Sequence, residues 1–368
     1  MTRATIRAEN SSVVPKPTDT ILIATAAPPP IHSKKLDLKP GEIVEIKDAE
    51  QVLATLDSEG KLDGLPFMPE MRQYCGRRFR VARRGDSTCV AGHPRRMENA
   101  VYLESLRCDG SAHQGCGAAC LLLWKESWLV RVTDPAANGH SKVEAPSPGI
   151  FNPPTSLVNG SSDCGLNGHG AKHDGSDGFP ELDAKHDNVN GTLVCQATAL
   201  NSATCPLNLG NPARYLAGVV RDYRSAKIGF DDLRNLVRYL RGKLILGAFK
   251  SWARAPWNNQ RYRKTPAERL NLQIGELVQV RSAREIMATL DRNGCNRGME
   301  FKAEMFQYCG RRFPVLGRMQ RRIDERTGLM REFQNECILL VGVHCQGQRS
   351  FCARSNYHYW REIWLRRC

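Results

Sequence analysis

Long apolar runs are missing from this chain of 368 residues. Nothing in it approaches the roughly 18 consecutive apolar residues that a spanning helix requires. A secretory leader is equally hard to find: Ile21-Leu22-Ile23-Ala24-Thr25-Ala26-Ala27 is short, follows Asp19 closely and runs into three prolines. No CxxC pair of the kind that marks a structural zinc ribbon occurs, and no cysteine has a base at a recognisable catalytic spacing. Two stretches are poor in one class of residue. Residues 134 to 193 have few large apolar side chains, and residues 206 to 270 hold four acids against fourteen lysines and arginines.

What is present bounds the fold. At 41% hydrophobic and 25% charged residues, the chain can bury cores for two or three domains of ordinary size. Fourteen cysteines in a chain without a convincing leader predict reduced thiols, serving as metal ligands, small buried residues or reactive groups, and a cytoplasmic location. A net charge of +15 predicts a polyanionic partner or an anionic surface.

The chain matches itself. Shifted by 234 residues, Leu38 to Arg84 lies over Leu272 to Arg318 without a gap, with 23 of 47 positions identical. Matched words include Ala54-Thr55-Leu56-Asp57 with Ala288-Thr289-Leu290-Asp291, and Tyr74-Cys75-Gly76-Arg77-Arg78-Phe79 with Tyr308-Cys309-Gly310-Arg311-Arg312-Phe313. The register returns in Trp124-Lys125-Glu126-Ser127-Trp128-Leu129 and Trp360-Arg361-Glu362-Ile363-Trp364-Leu365. An internal duplication, with modules at 38–133 and 272–368, is the expectation. Alternating Val44 and Ile46, and Val278 and Val280, predict a half-buried opening strand in each. Ala49 to Leu56 predicts a short helix presenting Val52, Leu53 and Leu56, and later segments read as further strands. The fold class expected is α+β: two homologous, mainly β modules with a helical hairpin and a linker between them.

Residues 1 to 37 read as a disordered tail and 134 to 193 as a flexible linker rich in Gly, Asn, Asp, Ser, Pro and His. From 194 to 271 the chain reads as a basic helical segment. Asn211-Pro212 opens a first helix; a second starts near Asp231, with Leu233, Leu236, Val237, Leu240 and Leu244 on one stripe and Arg234, Arg238 and Arg241 on another.

Several constellations could carry chemistry. Cys75, Cys108, Cys116 and Cys120 offer a four-thiolate zinc site in the first module. In the second, Cys309, Cys345 and Cys352 are placed similarly, Asn356 takes the position of Cys120, and His358 or His344 would complete the set; Cys89 and His93 are alternative ligands. The twin Cys-Gly-Arg-Arg reads either as a structural or metal element or as a thiolate nucleophile beside guanidiniums. Glu70 and Glu304 read as helix-start or salt-bridge residues, with acid/base work as the alternative. Cys195 reads as a small buried residue where the linker docks, or as a reactive thiol. Arg254, Trp257, Arg261, Arg263 and Lys264 interleave cations with an aromatic ring, the composition that binds phosphates and stacks bases. The partner expected there is nucleic acid first, with a membrane surface or an acidic protein as alternatives.

The opening Gly41-Glu42-Ile43-Val44-Glu45-Ile46-Lys47 resembles the first strand of SH3-like barrels of the KOW type, and the whole module is similar to uncharacterised bacterial proteins. The resemblance implies a barrel-like module and no particular activity. Together these features predict a non-catalytic binding or scaffold protein with zinc-stabilised tandem modules. The competing expectation is an enzyme or biosynthetic accessory protein whose active site, using a Cys thiolate or an open metal position, lies between the modules.

Overall fold

The structure is a computed structural model describing residues 35–90, 92–133, 192–207, 220, 230–254, 264–347 and 351–368. It is mixed α+β, dominated by two curved antiparallel sheets with few helices. In the first module β1 (Ile43–Ile46) lies between β2 (Arg78–Arg84) and the strand Leu129–Arg131. A hairpin of β3 (Ser87–Val90) and β4 (His93–Arg96) follows β2, and β5 (Ala100–Arg107) and β6 (Leu121–Lys125) extend the main sheet. With Leu129–Arg131 as β7, the sheet order is β6-β5-β2-β1-β7.

The second module repeats this pairing. Cys205–Pro206, labelled β8, precedes it and adds to the edge of β4. Then β9 (Leu277–Val280) lies between β10 (Arg312–Ile323) and β12 (Leu365–Arg367), with β11 (Met330–Leu340) beyond β10. Val44 faces Phe79 across β1 and β2, and Val278 faces Phe313 across β9 and β10. The alternation read in the sequence is therefore the inside-outside alternation of the strands: Val44, Ile46, Val278 and Val280 are fully buried.

Each word shared by the modules has a physical job. The first helix, α1 (Ala49–Leu53), starts where Asp48 accepts the amide of Gln51, and buries Val52. Thr55 and Thr289 accept the indole N–H of Trp128 and Trp364, each at 3.0 Å. Asp57 and Asp291 cap the next turn, accepting the amides of Glu59 and Lys61 and of Asn293 and Cys295. In Cys-Gly-Arg-Arg-Phe the glycines Gly76 and Gly310 take positive φ to turn the chain into the next strand, and Arg77 and Arg311 stack on Phe79 and Phe313. The glutamates of the Trp-x-Glu words are buried clamps. Glu126 accepts the amides of Leu36, Asp37 and Leu38 and an N–H of Arg84. Glu362 accepts those of Leu270 and Leu272 and an N–H of Arg318. Leu36 and Asp37, read from the sequence as part of a disordered tail, are thus tied to the module, while residues 1–34 lie outside the described part.

The two modules are fused at a shared core. The hairpin β3–β4 meets the second module where Ala353 N–H donates to Ser87 and Arg354 to the carbonyl of Cys89. Reciprocally, the hairpin β10–β11 meets the first, where Gly117 N–H donates to Arg321 and the amide of Ile323 to the sulfur of Cys116. Ile323, Ala353 and Met330 consequently pack in the core of the first module.

Residues 192–207, which the sequence assigned partly to the linker and partly to the basic segment, form a wall of the first module instead. Here α2 (Gln196–Ala203) buries Gln196, whose amide bridges the backbone of Leu123 and the carbonyl of Pro66. The remainder of the linker, residues 134–191, lies outside the described residues, as does nearly all of the first hairpin helix. The second hairpin helix is α3 (Phe230–Ala253). It docks through Gly242, Leu246 and Ala253, not through the stripe read from the sequence: Val237, Leu240 and Leu244 are exposed. Gly242 explains the choice, because an added Cβ would lie 2.4 Å from the carbonyl oxygen of Ala303. The helix rests its backbone on the 3-10 turn Ala303–Tyr308. The fourth helix, α4 (Ala283–Ala288), is capped by Ser282 and Glu285 in a reciprocal box.

Candidate metal centre

Three elements of the first module converge on one point. Glu70 comes from the 3-10 turn Pro69–Tyr74, Cys108 directly follows β5, and His113 comes from the short 3-10 turn Ser111–His113. Among the described residues this is the group whose ligand atoms all lie within 4.8 Å of one another. Cys108 Sγ is 3.1 Å from His113 Nε2, and Nε2 is 3.5 Å from Glu70 Oε1. A tetrahedral zinc ion with ordinary bond lengths would hold S and N about 3.5 Å apart and N and O about 3.4 Å apart. The three donors therefore already stand near metal-binding separations.

Burial sharpens the point. The side chains of Glu70 and His113 are 2% and 3% exposed, and Cys108 is buried. Both carboxylate oxygens of Glu70 and the Nδ1 of His113 are buried without a hydrogen-bond partner of sound geometry. Such groups cost free energy unless something satisfies them. Desolvation raises the Glu70 carboxyl above its usual range, opposed by His113. Desolvation also drives the Cys108 thiol well above the ordinary thiol range, helped by the negative charge of Glu70. Both shifts favour the protonated forms of Glu70 and Cys108, and a divalent ion would displace those protons and take up the buried donors.

The loop that carries His113 is tightly made. Gly110 N–H donates to Cys108 Sγ at 3.3 Å, and a Cβ on Gly110 would lie 2.3 Å from the carbonyl oxygen of Cys116. The cluster opens onto a small cavity of about 60 Å³, also lined by Cys116, Cys120, Cys195 and Tyr102. That space is small, room for a water or two.

Of the ligands read from the sequence, Cys108 is the one in this group. Cys75 ends the 3-10 turn, and Cys116 receives the amide of Ile323. Cys120 lines the neighbouring cavity, its thiol pushed up to about 12 by burial. Glu70 and His113 were not read as ligands. The spacing Cys108-x4-His113 was the available signal, and the glutamate comes from a segment 38 positions away whose role no local pattern announces.

In the second module, Cys345 and Cys352 lie at the positions of Cys108 and Cys116. Gly347 N–H donates to Cys345 Sγ at 3.4 Å, and a Cβ on Gly347 would approach Cys352 O to 2.3 Å. Glu304 faces Cys345, and burial raises both groups. His358 is buried beside Tyr308 and held at about 3 by desolvation, so it stays neutral. Neither His358 nor His344 completes a three-ligand group with Cys309, Cys345 or Cys352 among the described residues. Cys309, like Cys75, ends a 3-10 turn, and burial pushes these two thiols up to about 12 and about 11. That shift is opposite to the one a thiolate nucleophile needs, and the neighbouring Arg77 and Arg311 are turned onto phenylalanine rings. Cys195 is buried at the start of α2, its thiol also raised by desolvation.

Of the predicted anion-binding residues, Arg254 and Lys264 are exposed, and Arg254 donates to Asn293 at 3.3 Å. Trp257, Arg261 and Arg263 lie outside the described residues. No described helix is long and apolar enough to cross a membrane. No protein-family model, curated protein or solved structure matches the chain.

Proposed function

We propose that this is a non-catalytic scaffold protein whose first module is stabilised by a divalent metal of the zinc class, held by Glu70, Cys108 and His113. The observation that carries the reading is the convergence of these three buried donors, with neither Glu70 oxygen in a hydrogen bond of sound geometry. In a Cys-His-acid nucleophilic triad, the thiol meets one imidazole nitrogen and the carboxylate orients the other. Here Cys108 and Glu70 both approach Nε2. That arrangement suits a shared ion better than proton relay, and the small cavity beside it favours a structural role over turnover.

The proposal extends to the architecture and the partner. The pairing common to the two sheets and the 23 matched positions support two SH3-like modules descended from one duplication. Exposed Arg234, Arg238, Arg241 and Lys243 on α3, within a segment of local balance +10, support an anionic partner in the cytoplasm, nucleic acid first. Binding to nucleic acid should weaken steeply with salt; insensitivity to salt would point to another partner.

The metal is tested by elemental analysis of protein purified without added metal. One zinc per chain is expected, with Cys108→Ser and His113→Ala losing it. Well-folded protein that carries no metal and takes up no zinc at pH 8 would overturn the reading.

A further inference from the structure

We propose that Cys89 and Cys352 form a reversible redox pair across the two modules, oxidised to a disulfide by a hydroperoxide and returned to thiols by a low-molecular-weight thiol. Their sulfurs lie 3.3 Å apart although the residues are 263 positions apart in sequence. Hydrogen bonds on either side of the pair, one backbone and one from a side chain, hold the two segments together. Ala353 N–H donates to Ser87 O at 3.0 Å, and Arg354 Nη1 donates to Cys89 O at 2.7 Å. Arg354 is itself buried and gripped by both carboxylate oxygens of Glu325, at 2.8 and 3.0 Å. A guanidinium is thus held beside the sulfur pair. Disulfide formation needs only that the sulfurs close to bonding distance, about 2.05 Å.

Reactivity and access favour the same pair. Cys89 and Cys352 both line a cavity of about 780 Å³, far larger than the space beside the metal centre, so a peroxide can reach them. Cys89 is the more accessible of the two, half-buried where Cys352 is buried. The hydrogen bond from Cys352, and then the charge of Arg354, lower the Cys89 thiol, while that bond and burial raise Cys352. Cys89 is the nucleophile and Cys352 the resolving thiol.

In the first step the Cys89 thiolate attacks one peroxide oxygen, the O–O bond breaks, and the departing hydroxide is protonated to water, leaving a sulfenic acid. In the second step Cys352 sulfur attacks that sulfenic sulfur. The S–O bond breaks, and the hydroxide leaves as water with the Cys352 proton. Two thiols and one hydrogen peroxide give one disulfide and two waters; two equivalents of a small thiol reverse the change and are themselves oxidised to their disulfide.

The test uses the full chain, metal-loaded, treated with a few equivalents of hydrogen peroxide, alkylated and mapped by mass spectrometry. The expected result is a Cys89–Cys352 cross-linked peptide that disappears with dithiothreitol, and a Tm that rises on oxidation and falls back on reduction. In Cys352→Ser the sulfenic acid on Cys89 has no resolving partner and should be trapped by dimedone. Cys89 and Cys352 remaining alkylatable after peroxide, a disulfide mapped to other cysteines, or no dimedone adduct in Cys352→Ser would each overturn the proposal. Retained zinc in the oxidised protein separates this outcome from failure of the metal site.

Discussion

The first and second modules place a glutamate and a cysteine against each other in the same way, and only the first adds a histidine. Between Cys108 and Cys116 the loop contains His113; between Cys345 and Cys352 it is one residue shorter and contains no histidine. Both loops are pinned by a glycine amide to the first cysteine and by a glycine that touches the second. The sheet scaffold is therefore indifferent to the third donor. In the first module Glu70, Cys108 and His113 can share a cation, whereas in the second burial raises both Glu304 and Cys345 and no histidine among the described residues joins them. A small change in one loop separates a group that could hold a metal ion from a buried acid-thiol contact.

The largest effect should come from the feature the modules share most closely, the buried glutamate clamp. Glu126→Ala removes the acceptor of three backbone amides and of Arg84 from a fully buried position. It should cost about 3–5 kcal/mol, read as a shift in the urea midpoint. Glu362→Ala removes two amide partners and Arg318 from a slightly more open site, and should cost about 2–3 kcal/mol. A reversed order would break the equivalence drawn between the clamps.

Metal removal should act on one module alone. Zinc at about a hundred times its dissociation constant stabilises the folded chain by about 2.7 kcal/mol, and a chelator should remove that increment. Glu70→Gln should lower zinc affinity at least about tenfold, as loss of one ligand charge at a three-donor site implies. Glu304→Gln and Cys345→Ser should leave the stoichiometry unchanged. If Cys345→Ser releases metal as readily as Cys108→Ser, the two modules are alike and the comparison fails.

Alkaline pH sharpens the difference further. Unfolded thiols ionise near about 8.5, while the folded chain holds Cys75 at about 11, Cys309 at about 12, and Cys108 and Cys345 well above the usual range. From about pH 8.5 upward the folded state binds more protons than the unfolded one, so stability falls as pH rises. Each such thiol contributes up to about 1.4 kcal/mol per pH unit in that window. Zinc takes the proton of Cys108 out of this balance and leaves those of the other three in it. Denaturation midpoints at pH 7.5, 8.5 and 9.5 should therefore fall more gently with zinc than without it; equal slopes would mean that Cys108 is not a ligand.

The same contrast explains what was legible in the sequence. Strand alternation gave Val44, Ile46, Val278 and Val280 their buried faces, and the matched words marked the turns because each serves a local hydrogen bond or ring contact that sequence spacing records. Cys108 was legible as a candidate ligand because a cysteine in a glycine-rich loop suits a metal, but the same reasoning put Cys116 and Cys120 beside it, and neither joins the group. Glu70 was not legible, since it joins the site by tertiary packing from a 3-10 turn whose outward signs are those of an ordinary helix start. The docked face of α3 escaped for a related reason. Hydrophobic periodicity picked out Val237, Leu240 and Leu244, but close backbone approach is what selects Gly242, and a glycine has no side chain for periodicity to count.

The smallest effect concerns the indole hydrogen bonds, where the two modules should agree. Trp128 and Trp364 are fully buried, and each donates to a threonine hydroxyl, Thr55 or Thr289, at 3.0 Å. Those hydroxyls in turn donate to Val52 O at 2.6 Å and Ile286 O at 2.7 Å, so each threonine bridges a helix end to a tryptophan. Replacement by valine keeps the shape and removes both bonds, leaving a buried N–H without an acceptor. Thr55→Val and Thr289→Val should each cost about 1–3 kcal/mol, because burial, distance and partners match, and the two losses should differ by less than about 0.5 kcal/mol. Chemical denaturation of the metal-loaded protein measures both under one condition. A loss at Thr55 twice that at Thr289 would show that the metal centre stiffens the whole first module, so that its frame is no longer interchangeable with the second.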